Sequence, residues 1–160
     1  PCDHPPLYDV VDVNAYFLSP YGCVVLSLGV MLYPFAHPSL DNTSLAVGVG
    51  FIFGHEMAHN TLRVEQTDAY AHALRSYENS TRSEAVADLL GMVAVARHLG
   101  VSTDALFVPL AQQWCAVKAV GLPPMRGSTH PDPTTRMAQL CKTCRDTVGL
   151  CECSYDPCLS

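Results

Sequence analysis

Hydrophobic and polar positions divide the N-terminal part of the chain into two short apolar strands and one long apolar segment. Residues 13–17 alternate well enough for a strand, and residues 24–32 predict a second strand that Pro34 ends. The intervening Pro-Tyr-Gly at 20–22 is typical of a turn, so the pattern predicts a hairpin. Residues 45–62 are apolar and contain no proline, and their length favours a buried helix despite three glycines.

The C-terminal part of the chain has the pattern of three further helices. Residues 81–100 begin with a Thr-x-x-Glu capping sequence, continue through alanine, valine and leucine, and end with a glycine. Residues 103–119 predict a helix with an early proline, and residues 134–147 predict the last one. The most polar segment, 63–80, predicts a surface loop or short helix. We therefore expect an α+β fold in which a small edge hairpin packs against a mostly helical core.

Eight cysteines set the end of the chain apart from the rest. Five of them lie in residues 141–160, so we predict a main domain at 1–140 followed by a separate Cys-rich, disulfide-bonded tail. The even count, together with N-x-Ser/Thr sequences at Asn42 and Asn79, favours glycosylation and a secreted or cell-surface location. A structural zinc held by the Cys-x2-Cys pair of the tail together with the Cys-x-Cys pair that follows is the alternative.

Charge and hydropathy argue against two broad classes of function. With 9 basic against 15 acidic residues, the net charge of −6 gives no general attraction for a nucleic acid. Residues 13–40 carry no charged side chain over a length that would cross a bilayer. Their prolines, glycines and β-branched residues favour buried strands, so we expect no membrane span. Because the chain begins at Pro1, we interpret it as a processed form or a piece of a longer protein.

The chemistry of the chain is concentrated in the sequence His55-Glu56-x-x-His59, inside the predicted buried helix. Histidines four residues apart leave the same face of a helix, so both imidazoles can bind one metal ion. Glu56 lies beside that face, where it would take a proton from water activated by the metal. Zinc is the expected ion, because such ligands form its usual hydrolytic site.

A hydrolytic zinc site needs a third protein ligand, and Glu84 is the candidate. Asp88 follows four residues later on the same face of the next strong helix. One carboxylate would bind the metal, and the other would accept the second N–H of a ligand histidine and fix its tautomer. In the alternative interpretation, Glu84 completes a capping box and Asp88 faces solvent. The apolar residues around both positions favour burial, and buried carboxylates require partners.

Four sequence blocks stand in an order that extends beyond the metal motif. They are Val13-Asn14-Ala15-Tyr16-Phe17, Gly54-His55-Glu56-x-x-His59, Glu84-x-x-Ala87-Asp88-x-x-Gly91, and Ala111-Gln112-x-Trp114-Cys115 with a later His130 and Arg136. Together they resemble the catalytic end of the neprilysin family of zinc metallopeptidases, which includes the endothelin-converting enzymes. The resemblance implies a zincin-like fold. Family members are several-fold longer and carry a helical domain over the active site, so here the cleft is open, or another chain or a further segment covers it.

The resemblance also implies a role for each matching residue. The metal ligands would be His55, His59 and Glu84. The groups that assist the reaction would be Glu56 as base and proton shuttle, Asp88 as the partner that orients a zinc-bound imidazole, and His130 as the stabiliser of the oxyanion. The substrate backbone would bind to Asn14, Ala15 and Arg136. The pocket for the residue after the cleaved bond would be formed by Val30, Phe35, Phe51, Ile52 and Trp114.

We therefore expect a secreted or cell-surface metallopeptidase that binds one zinc ion per chain and cleaves a peptide or protein substrate before apolar residues. Two alternatives stay open. A membrane-associated prenyl-protein peptidase would share His-Glu-x-x-His, Glu-x-x-x-Asp and Ser-Thr-His-Pro followed by Arg, but Ala-Gln-x-Trp-Cys and Val-Asn-Ala-Tyr argue against it. A peptidase-like binding subunit of a larger extracellular assembly would keep zinc only as a structural element.

Overall fold

The computed structural model describes residues 12–64, 79–119, 130–131 and 133–148. Within these ranges the elements in chain order are β1 (Ala15–Leu18), β2 (Cys23–Leu26), a short 3₁₀ helix (Leu28–Met31), α1 (Asn42–Leu45), a π-helical turn (Ala46–Gly50), α2 (Phe51–Val64), α3 (Asn79–Leu99), α4 (Asp104–Ala119) and α5 (Pro133–Val148). A mostly helical chain with one small antiparallel sheet confirms the predicted α+β class. Most of the polar segment at 63–80 lies outside the described residues.

The predicted hairpin is present, but its second strand is shorter than the pattern indicated. β1 and β2 pair antiparallel along their whole length, and Gly22 takes a positive φ of 61° in the turn between them. β2 ends at Leu26 rather than at residue 32, and the chain continues into the 3₁₀ helix. The physical reason is Ser27, whose buried hydroxyl donates to the carbonyl of Asn14 at 2.6 Å and so holds the end of β2 against the start of β1.

The helix predicted over 45–62 is divided rather than continuous. Its C-terminal part belongs to α2, whereas the π-helical turn before it contains Gly48 with non-helical dihedral angles (φ −81°, ψ −106°). Gly48 lies so close to the backbone carbonyl of Phe35 that no Cβ would fit there. The periodicity of the segment could not show this contact, because Phe35 comes from the preceding loop.

One hydrophobic core joins α2, α3, α4 and α5. Its largest fully buried side chains include Phe51, Leu89, Met92, Leu106, Leu110 and Leu140. Full burial of such a side chain stabilises a fold by about 1.5–3 kcal/mol. Because these side chains come from all four helices, their burial holds the helices together as one unit. β1 packs against α2, which places the hairpin beside the helix that carries the metal motif.

The last helix crosses the boundary that the cysteine pattern predicted at residue 140. Cys141 and Cys144 lie on α5 and are buried in the helical core. Both are disulfide-bonded, as are Cys23 and Cys115, so the Cys-x2-Cys pair forms disulfides rather than the alternative zinc site. The segment 149–160 lies outside the described residues, and a separate tail stays a prediction.

The apolar stretch at 13–40 forms the hairpin, the 3₁₀ helix and turns rather than a continuous helix. In the part of the chain that the structure describes, no single helix is both long and apolar enough to cross a membrane. One pair of segments meets this criterion jointly, Arg82–Leu99 with Asp104–Cys115, and the two are bent by 116° relative to each other.

Candidate metal centre

Two glycines at the crossing of α2 and α3 bring the metal motif close to the carboxylates of α3. A Cβ on Gly54 would lie 3.2 Å from the Cα of Gly91, and a Cβ on Gly91 would lie 3.0 Å from the backbone N of His55. Because neither position carries a side chain, the two helix backbones approach closely. This close approach lets His55 on α2 reach Glu84 and Asp88 on α3.

Gly91→Ala should destabilise the fold and weaken metal binding. The added methyl group would press on the backbone of His55, and overpacking of this kind costs about 1–3 kcal/mol. Gly50→Ala is the matched control, since its Cβ would lie an ordinary 3.5 Å from the nearest neighbour, and it should be neutral or stabilise by up to about 1 kcal/mol. Denaturant unfolding measures the stability of both variants, and chelator competition measures their zinc affinity. A Gly91→Ala protein as stable as wild type would show that the crossing does not depend on this close contact.

Four side-chain atoms from α2, α3 and the segment before α5 converge at one place. The Nε2 atoms of His55 and His59 are 3.2 Å apart. Glu84 Oε2 lies 3.2 Å from His55 Nε2 and 3.6 Å from His59 Nε2. His130 Nε2 lies 2.8 Å from the same Glu84 oxygen and 3.3 Å from His55 Nε2. The structure thus brings the three predicted metal ligands together, with His130 beside them.

The separations among the predicted ligands fit a zinc ion. Tetrahedral zinc binds nitrogen and carboxylate oxygen at about 2.0–2.2 Å, which places neighbouring ligand atoms about 3.3–3.6 Å apart. The observed distances among His55, His59 and Glu84 are 3.2, 3.2 and 3.6 Å. Two imidazole nitrogens and one carboxylate oxygen are also a donor set of hydrolytic zinc sites. The residues present are therefore able to hold the predicted metal, whose binding stays a prediction.

Glu56 lies next to this cluster at the start of the same helical turn. Its carboxylate is buried, and Oε1 is 4.0 Å from His55 Nε2. His55, Glu56 and His59 could also form a three-ligand group, because their donor atoms all lie within 4.8 Å of one another. The longer Glu56 distance is better suited to a base that reaches a water at the centre than to a direct ligand.

Asp88 holds His55 from the other side of its imidazole ring. Asp88 Oδ1 lies 2.8 Å from His55 Nδ1. Arg136 donates from Nε to Asp88 Oδ2 at 2.7 Å and from Nη2 to Oδ1 at 2.5 Å. The Asp88 carboxylate is buried, so these two partners compensate its charge. The bond at Nδ1 leaves Nε2 of His55 facing the metal position, which is the orientation that a ligand requires.

Burial and pairing shift the pKa values of the cluster strongly. Burial alone would raise the pKa of Glu84, but hydrogen bonds with His130, His55 and His59 hold it far below its usual range. Burial also opposes ionisation of Asp88, yet Arg136 brings the pKa of Asp88 down to about 2. Burial lowers the pKa of His55, whereas Asp88 and Glu84 outweigh it and raise that pKa to about 9. The raised pKa of His55 means that a metal ion must compete with a proton for its Nε2.

A cavity of about 160 Å³ opens beside the metal position. All the residues predicted to bind substrate line it, namely Asn14, Ala15, Val30, Phe35, Phe51, Ile52, Trp114 and Arg136. Three residues of the candidate metal site line the same cavity, namely His55, Glu56 and His130. The other residues of that site, His59, Glu84 and Asp88, are not part of the cavity wall. The wall is mostly apolar with a few convergent polar groups, which is typical of a binding site. The individual roles in substrate binding stay predictions.

Trp114 connects the cavity wall to the candidate metal site. Its ring packs edge-on against Phe51 with 5.6 Å between the ring centroids. The guanidinium of Arg136 lies 4.7 Å from the centroid of the Trp114 ring. Arg136 is therefore held between an aromatic face and the Asp88 carboxylate. In this structure it acts as a partner of Asp88, and its contact with a substrate carbonyl stays a prediction.

Asn14 lies immediately before β1 and is hydrogen-bonded to Ser27, immediately after β2. Its backbone N donates to Ser27 Oγ at 3.1 Å, and its carbonyl accepts from the backbone N of Ser27 at 3.1 Å. The side-chain oxygen of Asn14 accepts from the N of Ala15 at 2.9 Å. These bonds fix the first residues of β1 at the cavity wall, where an extended peptide could lie against the strand.

The sequence did not single out two buried polar residues that position the cavity wall. One is Ser27, whose hydroxyl and backbone N–H both donate to the carbonyl of Asn14. The other is Gln113 on α4, which donates to the carbonyl of Pro34 and so holds the chain just before Phe35. The available signal was weak in both cases: a polar residue within an apolar run, which is typical of a buried hydrogen bond.

Comparison of the chain with family models, with curated proteins and with solved structures finds no match. The resemblance to neprilysin-type peptidases thus depends on the four sequence blocks.

Proposed function

We propose that this chain is a zinc-dependent metallopeptidase of zincin-like fold that hydrolyses peptide bonds before apolar residues. The observation that carries the proposal is the convergence of His55, His59 and Glu84 at tetrahedral spacing, with Glu56 and an apolar cavity beside them. Peptide hydrolysis at a metal needs three protein ligands, a base within reach of water and room for a substrate. The geometry supports each of these requirements.

The chain's own residues would divide the reaction between them. When bound, zinc supplies a Lewis acid that polarises the scissile carbonyl and lowers the pKa of water to about 7. Glu56 takes the proton of the attacking water and later passes it to the leaving amine. Asp88 keeps the His55 imidazole oriented, and Arg136 in turn keeps Asp88 ionised.

The cavity wall supports an orientation for the substrate. His130 faces the cavity, where its N–H would donate to the oxyanion that develops on the carbonyl. An extended peptide would lie along β1 near Asn14 and Ala15, as peptides do when they add to the edge of a sheet. A peptide bound in this way would have its scissile bond between Glu56 and His130. Such positioning lowers the entropic part of the activation barrier for hydrolysis.

The size of the cavity favours a ring or a branched chain after the cleaved bond. Its volume is about 160 Å³, and an apolar cavity of about 150 Å³ holds a benzene ring. The charge of Arg136 is already compensated by Asp88, so it offers little attraction for an acidic side chain. We therefore expect Phe and Leu to be preferred over Asp, Glu and Lys at this position.

Cleavage of a mixed peptide library, with the cut sites determined by mass spectrometry, tests the proposal. The zinc-loaded protein should cut before Phe and Leu, a chelator should abolish cutting, and zinc added back should restore it. A protein that binds one zinc ion and cuts no peptide would overturn the proposal. That result would favour the alternative, a binding subunit in which zinc is a structural element.

The cysteines support an extracellular location as part of the proposal. Four cysteines in the described ranges, Cys23, Cys115, Cys141 and Cys144, are disulfide-bonded, and disulfides persist in oxidising compartments. Asn42, the first predicted glycosylation site, is exposed. The expected partners are a peptide or protein substrate and a further chain or segment over the cleft.

A further inference from the structure

The position of His130 relative to the other ligands indicates more than an oxyanion donor. Its Nε2 lies 3.3 Å from His55 Nε2, which is one edge length of a zinc tetrahedron. It also lies 2.8 Å from Glu84 Oε2, which is a direct hydrogen bond and is shorter than the separation of about 3.3–3.6 Å between two ligands of one zinc ion, so these two atoms must move apart when a metal binds between them. The donor atoms of His55, Glu84 and His130 lie within 4.8 Å of one another, as in a metal-binding group.

We propose that His130 is a fourth protein ligand of the metal in the resting protein, and that a substrate must displace its imidazole to reach the metal. This inference rests on the proposed metallopeptidase function, because it concerns the regulation of the same centre. Hydrolytic zinc sites keep one exchangeable position, whereas sites with four protein ligands are closed. His130 would therefore switch the centre between a closed and a reactive form.

Of the four donors, His130 is the one best able to leave. His55, His59 and Glu84 stand on α2 and α3, whose backbones are fixed by the helix crossing. His130 stands outside the helices, and its side chain is 23% exposed against 3% for His55. His59 is similarly exposed at 24%, but its backbone is part of α2.

Displacement of His130 would couple the metal to the cavity. His130 lines the cavity in which we propose that the apolar side chain of the substrate binds. A peptide seated there would contact the imidazole directly, and its carbonyl would compete for the position that His130 leaves. The displaced imidazole would stay within reach of the reacting carbonyl, where its N–H can serve the oxyanion. One residue would thus act as a resting ligand and then as a donor.

X-ray absorption at the zinc edge tests this inference, because it counts imidazole ligands directly. The full-length zinc-loaded protein should show three imidazoles, His130→Ala should show two, and the exposed-histidine control His98→Ala should show three. Chelator competition should find the zinc affinity of His130→Ala at least about tenfold weaker, since loss of even an outer partner costs about 10–100-fold. Acetohydroxamate, a small zinc-binding probe, should reduce the wild-type count from three to two.

Each contrary result has a separate meaning. A count of two imidazoles in the wild-type protein would overturn the inference and leave the metallopeptidase proposal intact. A count of three in both the wild-type protein and His130→Ala would have the same meaning. A count that stays at three with acetohydroxamate bound to the metal would show that His130 is a permanent ligand and would overturn the displacement. A wild-type protein that binds no zinc would overturn the inference together with the proposed function.

Discussion

Glu56→Gln should lower the rate of peptide hydrolysis by about 10²–10⁴-fold and leave zinc bound, because glutamine keeps the shape of the side chain and cannot accept a proton. The Glu56 oxygen lies 4.0 Å from His55 Nε2, outside the 3.2–3.6 Å spacing of the three ligands. Removing its charge should therefore spare the metal. The measurements are kcat/KM on the best library peptide and the zinc content of the purified variant.

The matched control for Glu56→Gln is Asp146→Asn. It also neutralises one carboxylate, but on the exposed face of α5, where Asp146 pairs with Lys142. It should keep wild-type activity and zinc content. Full activity in Glu56→Gln would contradict the assignment of the base. Loss of zinc from Glu56→Gln would instead show that Glu56 is a ligand in the group formed with His55 and His59.

The convergence of the candidate metal ligands could be predicted because the sequence signals that place them are local. The four-residue spacing of His55 and His59 fixes their common helix face, and the same spacing relates Glu84 to Asp88. Burial around the second pair indicated that these carboxylates need partners. The structure supplies those partners, since Asp88 binds His55 and Glu84 contacts three histidines.

Features that depend on contacts between distant segments could not be predicted. The π-helical turn depends on the approach of Gly48 to Phe35, and the early end of β2 depends on the bonds of Ser27 to Asn14. Neither contact leaves a periodic signal in the sequence. His130 could be assigned to the site only through the family resemblance. Its short distance to His55 depends on how the segment before α5 packs against α2.

The two glycines at the crossing of α2 and α3 could be predicted only in part. Gly54 and Gly91 belong to the sequence blocks, and no role could be given to them from the sequence. Because neither glycine has a side chain, the backbones of α2 and α3 can approach each other closely. The candidate metal site thus combines side chains that helical periodicity places on one face with a short helix-to-helix distance that two glycines allow.

Asp88→Asn should weaken zinc binding by about 10–100-fold, as loss of an outer-shell partner does. Asparagine keeps the size of the side chain but removes the charge that holds the His55 imidazole and pairs with Arg136. Removing one partner of a buried ion pair costs about 3–5 kcal/mol of stability. The Arg136 side chain is 20% exposed, so we expect about 3 kcal/mol, the lower end of that range. Chelator competition and denaturant unfolding measure the two effects.

A second substitution separates the two roles of Asp88. Arg136→Gln in the Asp88→Asn background removes the guanidinium that would otherwise stay uncompensated, so it should recover part of the lost stability. It should recover none of the zinc affinity, because the His55 imidazole still lacks its anionic partner. Asp146→Asn, which removes an exposed carboxylate, should change neither quantity. Wild-type zinc affinity in Asp88→Asn would contradict the orienting role of Asp88. The double variant could instead be no more stable than Asp88→Asn alone. That result would show that the lost stability comes mainly from the missing bond to His55 and not from the uncompensated charge of Arg136.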